Sequence, residues 1–167
     1  KVCLLDYDFK APSLIGMFKV STPDFWLNDY LNDDCEIKEA LMEVLPNLYV
    51  GFANPDGEAI RDMVGKSRSW ETGALNKTVS LKNILSEEGF NKLIFDTPPG
   101  LAYSSINAVI ASDIIALVMR MDSLDILGTK EMVKEVYGIL EKPSVVVVNM
   151  VLPAQQKAIK QRRTTAE

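Results

Sequence analysis

Five short apolar runs punctuate the chain, at residues 2–5, 48–52, 93–95, 114–119 and 145–148. They are rich in Val, Ile and Leu and lack clean alternation with polar positions, the pattern of strands covered on both faces. Between them the spacing becomes helical. Thr22-Pro23-Asp24 offers a capping hydroxyl, a first-turn proline and an early acid, and so predicts a helix start. Asn54-Pro55-Asp56 repeats the arrangement ahead of residues 58–64. Ser80 is expected to cap a helix whose apolar face carries Leu81, Ile84 and Leu85 and which stops at Gly89. Residues 105–111 read as a short apolar helix. Residues 124–141 read as the longest helix, with Ile126, Leu127, Val133, Val136, Ile139 and Leu140 on one face. Residues 68–77 carry the least pattern and are expected to form a loop.

Strands alternating with helices imply parallel βαβ units with right-handed crossovers. The expected fold is therefore α/β, a three-layer arrangement with a mainly parallel sheet flanked by helices. The 167 residues, 47% hydrophobic, suit one domain with a substantial core. Trp26, Tyr30 and Trp70 are expected to be packing residues.

Charge and cysteine usage narrow the chemistry. A net charge of −5 gives nucleic acid no general electrostatic attraction. The one basic concentration, Lys157, Lys160, Arg162 and Arg163, reads as a solvated end. Cys3 lies in an apolar strand and reads as a reduced core residue, and no C-x-x-C occurs. Apolar runs fall far short of the ~20 residues a membrane helix requires, and no signal peptide is visible. The cytoplasm is the default expectation.

Candidate chemistry concentrates where strands end. The first run closes on Asp6-Tyr7-Asp8, and alternate strand residues share a face, so Asp6 and Asp8 point the same way. The third run closes on Asp96 and enters Thr97-Pro98-Pro99-Gly100. Ligands of open α/β sheets bind outside the carboxyl ends of strands. Three acids there, in a chain with no histidine, suit a magnesium–phosphate site, because magnesium takes few carboxylates and keeps several waters. Pro98 and Pro99 lack N–H donors, whereas Gly100 keeps its own and permits close approach of a phosphate. Asn149, after the last run, carries a donor and an acceptor that suit a purine edge, although an asparagine there is ordinarily a turn residue. Gly65-Lys66-Ser67 imitates the tail of G-x-x-x-x-G-K-[ST], but Ile60 stands at the first glycine position and a helical segment precedes it.

In this order the segments resemble the MinD/ParA ATPases, the deviant-Walker group of P-loop proteins. Leu4-Leu5-Asp6-Tyr7-Asp8 resembles their switch I segment. Leu93-Ile94-Phe95-Asp96-Thr97-Pro98-Pro99-Gly100 resembles their Walker B and switch II block, hhhDTPPG. Ala111-Ser112-Asp113 with the run behind it, Asp122-Ser123-Leu124, and the 145–148 run ending in Asn149 are similar to the segments that follow. The resemblance covers most of the chain, and DTPPG is its most specific part. It implies ATP and Mg²⁺ as ligands. It implies that Asp6 and Asp96 serve the metal, that Asp8 positions the hydrolytic water, that Gly100 offers its N–H to the γ-phosphate and that Asn149 contacts adenine. It further implies a homodimer in the ATP state, an unidentified protein partner, and a role in cell-division positioning or partitioning.

The resemblance departs in one respect. The family's K-G-G-x-G-K-[ST] loop and its strand precede the switch I strand, and Lys1 begins at that strand. Residues 1–167 are therefore expected to form a single but incomplete ATPase domain, lacking the phosphate-loop strand and the last strand. This chain alone is not expected to hydrolyse ATP. Missing an internal strand would leave backbone groups unpaired, each costing about 1–3 kcal/mol. Residues 154–167 show no amphipathic membrane helix of the MinD type. Three other readings compete. One is a non-hydrolysing relative kept for protein contact. The second is an Mrp-type iron–sulfur carrier, whose paired cysteines Cys3 and Cys35 do not supply. The third is a haloacid-dehalogenase-like phosphatase, with Asp6 as nucleophile.

Overall fold

The computed structural model describes residues 1–120 and 142–152. It divides into two compact units, residues 1–111 and 112–167.

In the first unit, β1 (Val2–Asp6) is the middle of the sheet. It pairs in parallel with β3 (Leu48–Gly51) on one side and with β4 (Lys92–Asp96) on the other. The order is β2-β3-β1-β4, so β4 lies at one edge. At the other edge β2 (Leu41–Leu45) runs antiparallel to β3. The two are joined through Pro46-Asn47, with Asn47 at φ 65°. The sequence reading assigns no strand to residues 41–45. Their short alternating stretch gains strand character by pairing with β3 through a tight turn.

Alternation along β1 divides its side chains between two cores. Cys3 and Leu5 are buried against Leu81 and Leu85 of α4 (Arg68–Glu87), Leu31 of α2 (Leu27–Leu31) and Ala108 of α5 (Tyr103–Ala111). Leu4 and Val50 lie in a second cluster with Leu14 of α1 (Leu14–Phe18) and Phe52. Helices thus flank both faces of a mainly parallel sheet, as expected.

Helix boundaries depart from the pattern in three places. Thr22-Pro23-Asp24 does not start a helix; α2 begins at Leu27, where Asp29 Oδ2 accepts the Trp26 N–H at 2.7 Å. Residues 68–77, expected as a loop, form the first half of α4. Ser67 accepts the Trp70 N–H there, so the cap sits thirteen residues before Ser80. Ser80 lies mid-helix and donates to the Asn76 carbonyl. Gly89 does end the helix, at φ 80°. A helix does follow Asn54-Pro55-Asp56, but Asp56 rather than Asn54 caps α3 (Gly57–Val64), accepting from the Glu58 N–H at 2.8 Å, and Pro55 lies ahead of the first turn.

In the second unit β5 (Ile115–Arg120) and β6 (Ser144–Asn149) form a parallel pair. Val145–Val148 are exposed rather than covered on both faces, because a two-stranded ribbon shields an edge and not a face. The helix expected at residues 124–141 and the basic residues 157–163 lie outside the described residues. No described helix is long and apolar enough to cross a membrane.

Candidate functional site

β1 and β4 end side by side. Asp6 and Asp96 are register partners, and the Tyr7 N–H donates to the Asp96 carbonyl at 2.7 Å, which carries the pairing one residue beyond β1. Partners in a parallel ladder present their side chains to the same face, so the two carboxylates share one end of the sheet. Asp6 is fully buried. Its Oδ1 accepts the Asp8 N–H at 3.2 Å and its Oδ2 accepts the Leu14 N–H at 3.3 Å. Asp8 folds the following turn, its Oδ1 accepting from Lys10 and Ala11.

The electrostatics are those of an uncompensated acidic site. Burial foremost, with a lesser push from the charge of Asp96, raises the Asp6 carboxyl to about 6 against the backbone donors of Asp8, Leu14 and Ser13. Asp96 is raised by burial and then by Asp8. Each of the three acids is therefore electrostatically linked to another. The ion pairs of the described residues lie elsewhere, at Lys38–Glu88, Lys66–Asp62 and Lys77–Asp33. Among the described residues no group of three or more acids or cysteines stands close enough to hold a metal by protein ligands alone. Magnesium needs less, taking one or two carboxylates together with waters and substrate phosphates. The adjacent Asp6 and Asp96, without an ion pair among the described residues, fit that smaller demand.

After β4 the chain turns through Thr97-Pro98-Pro99-Gly100. Gly100 sits at φ 87°, a conformation that L side chains rarely adopt, and a Cβ there would meet nothing within 4 Å. The glycine is thus required by the backbone rather than by space. Ser105 of α5 fixes the turn from below, its hydroxyl donating to the Pro98 carbonyl at 3.1 Å. The sequence reading does not single out this serine. Its signal would have been a small polar residue in the first turn of the helix behind the proline pair.

The remaining expectations fall as follows. Asn149 ends β6 in the second unit, where its side-chain oxygen accepts the Met150 N–H at 2.9 Å. Gly65-Lys66-Ser67 links α3 to α4: Gly65 ends one helix, Ser67 caps the next, and Lys66 pairs with Asp62 and lies over the Trp70 ring. That is a helix junction and not a phosphate loop. Cys3 is fully buried, which pushes its thiol up to about 12, as befits a reduced core residue.

No family model matches the sequence. Among curated proteins, the virulence plasmid ParA family protein pGP5-D of Chlamydia psittaci is 26% identical over 132 residues, covering 78% of this chain and 49% of its own length. The chain thus spans about half the length of that relative. Among solved structures, a plasmid partition protein from Borrelia burgdorferi superposes with a TM-score of 0.74 at 18% identity, over 98% of this chain and 72% of the other. The septum site-determining protein MinD of Pyrococcus horikoshii, solved with Mg-ADP, gives 0.70 at 19% identity, over 89% and 57%.

Proposed function

Starting from a chain with the MinD/ParA-type P-loop ATPase fold, we propose that it carries the magnesium-and-water side of an ATP site in a dimerisation switch of the division or partition class. The observation that carries this reading is the adjacency of Asp6 and Asp96 at the carboxyl ends of neighbouring parallel strands, with Asp8 just beyond and no ion pair to any of them among the described residues. Asp6 and Asp96 would hold Mg²⁺ through its waters; the ion, when bound, would neutralise charge developing on the phosphates. Asp8 would orient a water for attack on the γ-phosphate. The Gly100 N–H, freed by the positive φ, would donate to that phosphate. Asn149 would contribute to adenine recognition. Asp6 and Asp96 are raised by burial and, to a lesser extent, by a neighbouring carboxylate, so a divalent cation would favour their ionised forms.

The test is made on the natural full-length protein with ATP and Mg²⁺. Asp8→Asn is expected to reduce turnover by roughly 100-fold or more while nucleotide still binds and an ATP-bound dimer accumulates in size-exclusion chromatography. Wild-type turnover in that variant removes Asp8 from the mechanism. A full-length protein that binds no nucleotide favours the non-hydrolysing, protein-binding alternative.

A further inference from the structure

Just past the end of β1, aromatic residues are interleaved with the acids. Tyr7 and Phe9 alternate with Asp6 and Asp8 and point towards α4, where the Tyr7 hydroxyl meets Thr78 Oγ1 at 2.9 Å. Behind them lies a cavity of about 320 Å³, within the usual range for small-molecule sites. Its walls are mostly apolar, with Tyr7, Phe9, Leu31, Met63, Trp70 and Leu101 prominent. Trp70 is held in place, its Nε1 donating to Asn32 Oδ1 at 3.0 Å and Lys66 lying over its ring.

One lining residue does not fit a merely apolar void. Asn107, on α5, is only 7% exposed, and it lines the cavity. A polar side chain this buried on the wall of a cavity is a ready recognition group for a molecule inside it. It offers one acceptor and two donors at fixed positions. The two charged lining residues, Lys10 and Glu71, interact with one another, and burial raises the Glu71 carboxyl, so a second net charge gains little there. We propose that this cavity is a binding site for a small, uncharged, mainly apolar molecule bearing a single hydrogen-bonding group, which the Asn107 amide recognises. The inference is independent of the nucleotide reading, since none of the three acids lines the cavity.

Benzyl alcohol serves as the probe, an aromatic ring with one hydroxyl. The full chain is labelled at its methionine methyl groups and titrated, and the Met63 resonance is followed. A saturable shift with a dissociation constant of about 1 mM is expected for a ligand of this size. Asn107→Ala should weaken it roughly threefold to tenfold, and Ala74→Leu, which extends a buried α4 side chain into the cavity, should abolish it. Should Ala74→Leu fail to fold, the Asn107→Ala comparison decides alone. A linear shift without saturation in the wild type overturns the proposal, as does a saturable shift that Asn107→Ala leaves unchanged.

Discussion

Asp6 should make the folded chain less stable as pH rises, the reverse of an ordinary paired carboxylate. Its pKa stands at about 6 against a reference of 3.8, a difference of about 2.2 units, or about 3 kcal/mol at 1.36 kcal/mol per unit. The folded state therefore binds a proton more tightly than the unfolded state does. The stabilisation is fully present below pH 3.8 and is lost as pH rises through about 6. Asp6→Asn removes the titration. It also places an amide N–H₂ opposite one of the two backbone donors, Asp8 or Leu14, a penalty of about 1–3 kcal/mol that does not vary with pH. Urea unfolding of both proteins at pH 4, 5, 6 and 7, in EDTA so that no cation binds, reports the effect of Asp6 together with its coupling to Asp96, because the carboxylates remote from the pair titrate alike in both. The wild-type stability relative to the variant should fall by about 2.4 kcal/mol from pH 4 to pH 7, the first part of the loss having occurred already by pH 4. A difference that stays flat, or that grows with pH, refutes the claim that Asp6 is buried without compensation.

Two further outcomes follow from single contacts. Thr78 donates to the Ala74 carbonyl at 2.7 Å, so in their mutual bond Tyr7 is the donor and Thr78 the acceptor. Tyr7→Phe should cost about 1 kcal/mol and Thr78→Val more, since the latter strands a buried hydroxyl; the double variant should recover part of the sum in a denaturation cycle. Gly100→Ala should destabilise by about 1–2 kcal/mol through backbone strain alone, measurable by thermal melting, because no neighbour obstructs the new methyl.

The sequence made the buried strands and the acids legible for a common reason. A buried strand is largely apolar, so the first acid after its run marks its end; Asp6 does so for β1, and Asp96 does so for β4, although β4 is an edge strand whose Ile94 is half exposed. Their adjacency was less legible, because nothing in a one-dimensional pattern says that β4 pairs with β1 rather than with another strand. The start of α4 was obscured for a different reason. Its first turns carry Arg68, Ser69, Glu71, Thr72 and Gly73 on an open surface, and burial is confined to Ala74, Thr78, Leu81 and Leu85, one face too narrow to register early in the helix. Strand β2 escaped because its pairing depends on a turn through Pro46-Asn47, where Asn47 takes a left-handed conformation that the residue type permits without requiring. Asn107 resembled any polar residue of an apolar helix. Only its burial beside a void distinguishes it.

The two-sided use of residues 6–9 also constrains how this stretch can change over generations. Point substitutions act on one face at a time: a new residue at position 7 or 9 alters the aromatic side, one at 6 or 8 the acidic side. Insertion or deletion of a single residue does something else, since a one-residue slip exchanges the faces. Two carboxylates would then turn towards Leu81 and Leu85, and two rings towards the turn before Leu14. The segment is therefore open to drift in composition and closed to drift in length, so related chains should differ here by replacement while their gaps gather elsewhere, as in the exposed stretch around residues 22–24.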